Sequence, residues 1–111
     1  MKLILASTSN FKSNVLKQAC IKHTKKESNY IETKKNNEDV YEYVKRLSLE
    51  KAYSVDSNDC IILGLDTVVL VGNKILEKPK SINEAKDNLR LCSNNTFKVI
   101  TGIALINKIN N

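Results

Sequence analysis

The chain has 111 residues, a single-domain length, and 41% of them are hydrophobic, enough to build a core. It has no Trp, and only Phe11, Phe97 and four tyrosines are aromatic, so the core is expected to be mostly Ile, Leu and Val. The formal charge is +6, and 16 of the 18 basic residues are Lys; with no Arg-rich patch and no interleaved aromatics to stack bases, no stable nucleic-acid partner is expected.

Cys20, Cys60 and Cys92 are odd in number and widely spaced, which suits neither a disulfide framework nor a C-x-x-C metal site. The opening "MKLILAS" is too short for a signal-peptide apolar core, and no run has the length of a membrane span. A soluble cytoplasmic protein without a membrane partner is the expectation.

Lys2 to Ala6 reads as a buried strand, and a helix is expected from about Asn10 to Cys20 with Val15, Leu16 and Ala19 inward. Between them Ser7 and Ser9 sit where strand gives way to helix. Two readings stay open there. Ser9 or Asn10 caps the helix, or the helix amides join Ser7, Ser9 and Lys12 in a phosphate cradle. The glycine-rich P-loop pattern is absent. Residues 23 to 39 are polar, with a short strand expected near Tyr30 to Glu32 and no role for His23.

Asp39 to Val55 reads as a longer helix whose apolar stripe is Val40, Tyr43, Val44, Leu47 and Val55. At 100° per residue Lys51 falls in the middle of that stripe. An ammonium there is costly unless paired or bound to an anion, or unless it snorkels past the helix end. A β-branched run follows from Cys60 to Leu76, broken by Gly64 and turning at Gly72-Asn73. Asp66 interrupts its most apolar part, near an expected bend at Gly64. A carboxylate in such a strand must be hydrogen-bonded, metal-bound or shifted in pKa, which makes Asp66 a candidate cation ligand or general base. Lys78 precedes Pro79 in an extended loop, and by spacing alone reads as a solvated lysine. Ser81 and Glu84 form a capping box that opens a helix to about Leu91. Residues 96 to 107 are a last strand, and the alternation of strands with helices argues for an α/β fold.

Together these residues resemble the Maf (septum-formation inhibitor) family of nucleoside triphosphate pyrophosphatases. That family's pattern is a strand followed by S-x-S-P-R-R, an I-D-E turn, a helix ending in E-K-A, a G-A-D-T-V-V strand, a K-P loop and a V-x-T-G strand. The counterparts here are Ser7 and Ser9 with Lys12, then Glu32, then Glu50-Lys51-Ala52. "GLDTVV" at 64 to 69, Lys78-Pro79, and Val99 with Thr101-Gly102 follow in the same order. The resemblance implies a Maf/ITPase-like mixed twisted sheet flanked by helices, with residues 1–111 forming one domain and the family's later third missing.

It also implies hydrolysis of a nucleoside triphosphate to the monophosphate and pyrophosphate, with a divalent cation, Mg²⁺ or Mn²⁺. Asp66 would be the proton acceptor and, with Glu32, would hold the metal. Ser7, Ser9, Lys12, Lys51 and Lys78 would neutralise the triphosphate. Asn10 and Phe11 replace the family's Pro and first Arg, and that Arg position bears on substrate choice. Phe11 matches the branch acting on 7-methyl-GTP, where an aromatic can stack on the cationic base, whereas Thr67 matches the dTTP/UTP branch. A nucleoside triphosphate is the expected partner and a homodimer an open expectation. The alternative is a truncated, inactive nucleotide-binding remnant.

Overall fold

The computed structural model describes residues 2–28, 37–76 and 79–109. Its elements in chain order are β1 (Leu3–Leu5), α1 (Asn10–Gln18), β2 (Thr24–Lys25), α2 (Val40–Tyr53), β3 (Ile61–Val71), β4 (Lys74–Leu76), α3 (Ile82–Ser93) and β5 (Phe97–Asn107). The expected strand near Tyr30 to Glu32 lies outside the described residues, and β2, unforeseen, precedes it.

The strands form one mixed five-stranded sheet in the order β2-β1-β3-β4, with β5 also pairing with β3. β1 runs parallel to β2 and to β3, with Leu3, Ile4 and Leu5 opposite Ile61, Ile62 and Leu63. β3 and β4 are antiparallel around Gly72, whose φ of 59° suits a residue without a Cβ at the start of a two-residue turn. The mixed α/β architecture is thus the one expected, but β3 runs unbroken through Gly64 rather than bending there.

The chain divides into two compact units. One comprises Met1–Asp66 with Gly102–Asn111, the other Thr67–Thr101. The first holds a core cluster of Ile4, Ala6, Ala52, Val55, Cys60 and Ile62, against which Ile106 packs. Each large aliphatic side chain fully buried there contributes about 1.5–3 kcal/mol. In the second unit Val68 and Val71 are buried, while α3 buries none of its residues.

Of the stripe the sequence marked, Tyr43, Val44 and Leu47 on α2 and Val55 just past its end are at 7% exposure or less, while Val40 in the first turn is half-buried. α1 behaves differently. Val15 and Ala19 are exposed, and the buried residue is Ser13. A nine-residue helix offers one narrow inward line, and a hydroxyl with a partner takes it: Ser13 Oγ lies 2.7 Å from His23 Nε2. α1 also ends two residues early. Ala19 is the cap and Cys20 turns left-handed at φ 60°, so that the Ile21 and Cys20 amides bond back to the Leu16 and Lys17 carbonyls. Ser81 caps α3 as expected, but Glu84 reaches one residue further back and accepts from the Lys80 amide at 2.8 Å.

Candidate active site

The site is assembled at the end of β1 and the start of α1, beside β3 and the last turn of α2. The β1–β3 ladder continues through the Ala6 amide, which donates to the Leu63 carbonyl at 2.9 Å. Ser7 and Ser9 follow directly. The Ser9 amide donates to Ser7 Oγ at 3.1 Å, and the Lys12 amide donates to Ser9 Oγ at 3.3 Å, so Ser9 is the N-cap of α1. Capping and anion binding are compatible here. A capping hydroxyl accepts with a lone pair and keeps its own hydrogen to donate.

Lys12, one turn into α1, donates its ammonium to the Leu65 carbonyl at 3.0 Å. The first turn of α1 is thereby tied to the residue next to Asp66. Phe11, between Asn10 and Lys12, is 78% exposed.

Asp66 is buried, at 4% exposure. Lys51 Nζ donates to its Oδ1 at 2.6 Å, with the two side chains 12% and 6% exposed. Each residue breaks the local pattern of its own element, and each does so for the other. Lys51 does not snorkel away; it turns inward onto a carboxylate that belongs to the facing strand. Asp66 Oδ2 is buried and has no hydrogen-bond partner among the described residues. Native interiors rarely leave a carboxylate oxygen so, because the cost is about 1–3 kcal/mol or more. A hard cation or a water would satisfy it.

Two glycines allow α2 to come this close. A Cβ on Gly64 would collide with the Ser48 carbonyl oxygen and lie 3.1 Å from Ala52 Cβ. A Cβ on Gly102 would collide with the Val44 carbonyl oxygen, one helical turn earlier. Helix backbone therefore lies directly on strand backbone at both points. Sequence reasoning took Gly64 for a break in the strand; what it marks is close approach.

Other expected contacts fall elsewhere. Thr67 is in the second unit, exposed, with its hydroxyl 3.0 Å from that of Thr101. Glu32 and Lys78 lie outside the described residues. Among the described residues no group of three or more His, Cys, Asp or Glu gathers to hold a metal. A partly buried network missed by the sequence reading stands on α2 and the residues just before it. Arg46 forks onto both oxygens of Glu38 at 2.7 and 2.9 Å, meets Glu50 at 3.0 Å, and lies 5.6 Å from the centre of the Tyr43 ring. The i, i+4 spacing of Arg46 and Glu50 was a visible signal for half of it.

The fold and this cluster define an α/β protein with a buried ammonium–carboxylate pair beside a hydroxyl-rich helix start. Residues 2–111 match the family model for Maf-like proteins, and the chain belongs to that family. It is 40% identical over 107 residues to a 7-methyl-GTP pyrophosphatase of Pseudoalteromonas atlantica, a match covering 96% of this chain and 55% of the relative. A dTTP/UTP pyrophosphatase of Syntrophus aciditrophicus is 38% identical over 109 residues, covering 96% and 53%. A dTTP/UTP pyrophosphatase of Clostridium perfringens is 41% identical over 111 residues, covering 96% and 58%. The chain thus spans about half the length of the relatives it matches.

Proposed function

We propose that this chain carries the phosphate-handling part of a nucleoside triphosphate pyrophosphatase, which splits its substrate into a nucleoside monophosphate and pyrophosphate. The observation that carries the reading is Asp66, a buried carboxylate with one oxygen held by Lys51 and the other without a partner among the described residues. The relatives' names, pyrophosphatases of dTTP/UTP and of 7-methyl-GTP, support the same chemistry.

In this reading Lys51 fixes Oδ1, and Asp66 takes the proton of the attacking water at Oδ2. The water oxygen bonds to phosphorus, the α–β phosphoanhydride breaks, and pyrophosphate leaves. Lys12, Lys51, Lys78 and the hydroxyls of Ser7 and Ser9 offset the phosphate charge, so that catalysis is mainly positioning and charge stabilisation. A divalent cation, Mg²⁺ or Mn²⁺, fits the unpartnered Oδ2, because such ions need only one or two protein carboxylates beside phosphate and water oxygens. Asp66 and Glu32 would hold it, and it would neutralise the triphosphate and polarise the bond under attack. Phe11 would stack on the base, most strongly on a cationic one, and Thr67 is the other proposed specificity position. A cytoplasmic setting goes with the three free cysteines, and among the described residues no helix is long and apolar enough to cross a membrane.

The test is release of pyrophosphate and monophosphate from dTTP, UTP, CTP and 7-methyl-GTP, with Mg²⁺ or Mn²⁺. Turnover is expected to stop on chelation and to return with added cation. Binding without turnover would leave a nucleotide-binding role alone, and neither binding nor turnover would sink the reading.

A further inference from the structure

We infer that Gly64 and Gly102 are positioning residues for the Lys51–Asp66 pair, acting through the backbone of α2 and touching no substrate themselves. The geometry is that of a two-point lock. Gly64 meets the Ser48 carbonyl and Gly102 meets the Val44 carbonyl, and these carbonyls are one turn apart on the same side of α2. Ser48 links the two points. It is fully buried, its Oγ donates to the Lys45 carbonyl at 2.8 Å, and that same Oγ lies 3.1 Å from where a Cβ on Gly102 would stand.

That contact sets the height of α2 over the strand that carries Asp66. Asp66 is two residues beyond Gly64, hence on the same face of β3. Lys51 is three residues beyond Ser48, hence on the same side of α2. The lysine side chain reaches back toward the N-terminal end of α2 to meet the carboxylate, and it closes the 2.6 Å contact with the helix seated at this height. A methyl group at 64 cannot be absorbed by a side-chain rotation, because it meets backbone. The helix itself must lift, and a rise of about 1 Å is enough to open a 2.6 Å bond. The unpartnered Asp66 Oδ2 shows why the placement matters, since nothing else in the described residues hydrogen-bonds that carboxylate's second oxygen.

The test separates positioning from stability. A double-mutant cycle of Lys51→Met and Asp66→Asn, read by urea unfolding of the full chain, is measured in the native background and again with Gly64→Ala. The pair is expected to show about tenfold coupling in the unfolding constant in the native background and close to none with Gly64→Ala. Should Gly64→Ala not fold, Ala52→Val takes its place as a milder wedge, because Ala52 Cβ borders the same contact. Undiminished coupling in the wedged background, or none in the native one, overturns the inference. The functional consequence rests on the nucleotide reading above and has its own arm. Gly64→Ala is expected to lower kcat for the nucleotide turned over at least tenfold, with KM within about threefold. Val55→Ala, which destabilises the core away from the pair, is expected to keep kcat. If no nucleotide is turned over, the nucleotide reading fails while the cycle still decides the positioning.

Discussion

At Asp66 two costs coincide: a carboxylate removed from water, and an oxygen without a partner among the described residues. The Lys51 ammonium offsets the first. Breaking a pair this buried by removing one partner costs about 3 kcal/mol, so Lys51→Met is expected to lower the unfolding free energy by that order in urea titration. The double variant Lys51→Met/Asp66→Leu is expected to recover most of it, since apolar replacements of both partners need no pairing. Hydrolysis would not recover. Asp66→Asn keeps the shape and loses the proposed proton acceptor, for an expected fall of about 10²–10⁴-fold in kcat. Near-normal turnover by Asp66→Asn would remove Asp66 from the chemistry. Phe11, 78% exposed, has little to stabilise. Phe11→Ala is expected to leave the melting temperature unchanged and to weaken 7-methyl-GTP binding more than dTTP binding, by about 0.5–2 kcal/mol, as titration calorimetry would read it.

Among the elements, helices α2 and α3 are built on opposite terms. α2 is held by packing. Its buried stripe and two backbone contacts on glycine fix its position, and its caps are secondary. α3 buries no residue, so its own ends carry more of its stability. Ser81 Oγ accepts the Glu84 amide at 3.1 Å, and Glu84 in turn accepts the Lys80 amide. Ser81→Ala is expected to cost about 1 kcal/mol, seen as a lower urea midpoint by far-UV circular dichroism; a midpoint that does not move would show that α3 is held by something other than its cap. The same contrast explains α1, where Ser13 and His23 replace an apolar stripe. Because a carbonyl only accepts, His23 Nδ1 donates to Ile21 at 3.0 Å, and in the neutral ring Nε2 is left to accept from Ser13.

For the whole molecule, burial is uneven. The unit of Met1–Asp66 with Gly102–Asn111 contains the core cluster, whereas Thr67–Thr101 buries Val68 and Val71 and exposes Ile82, Leu89, Phe97 and Val99. Local opening free energy follows buried apolar contact. Amides of α3 and β4 are therefore expected to exchange with solvent well before those of β1 and α2, which hydrogen exchange read by mass spectrometry can resolve. Equal protection in the two units would contradict this. The positive charge is spread along the chain as lysine, which suits attraction of the phosphate groups of the proposed substrate.

Much of the fold was legible in the sequence, because periodicity and turn chemistry are local. Most of the α2 stripe (Tyr43, Val44, Leu47 and Val55, though not the half-buried Val40), the Gly72 turn and the Ser81 cap landed where spacing placed them. Of the site, the sequence by itself determined that Ser7 and Ser9 stand at a strand–helix junction and that Lys51 and Asp66 defy their surroundings. It did not determine that the two defy them for each other. That pairing spans 15 residues and two elements, and it exists only because α2 lies on β3 without a side chain between them. Nor did composition distinguish a glycine that bends a strand from one that admits a helix. Both readings fit Gly64 in one dimension, and the Ser48 carbonyl above it decides the matter in three.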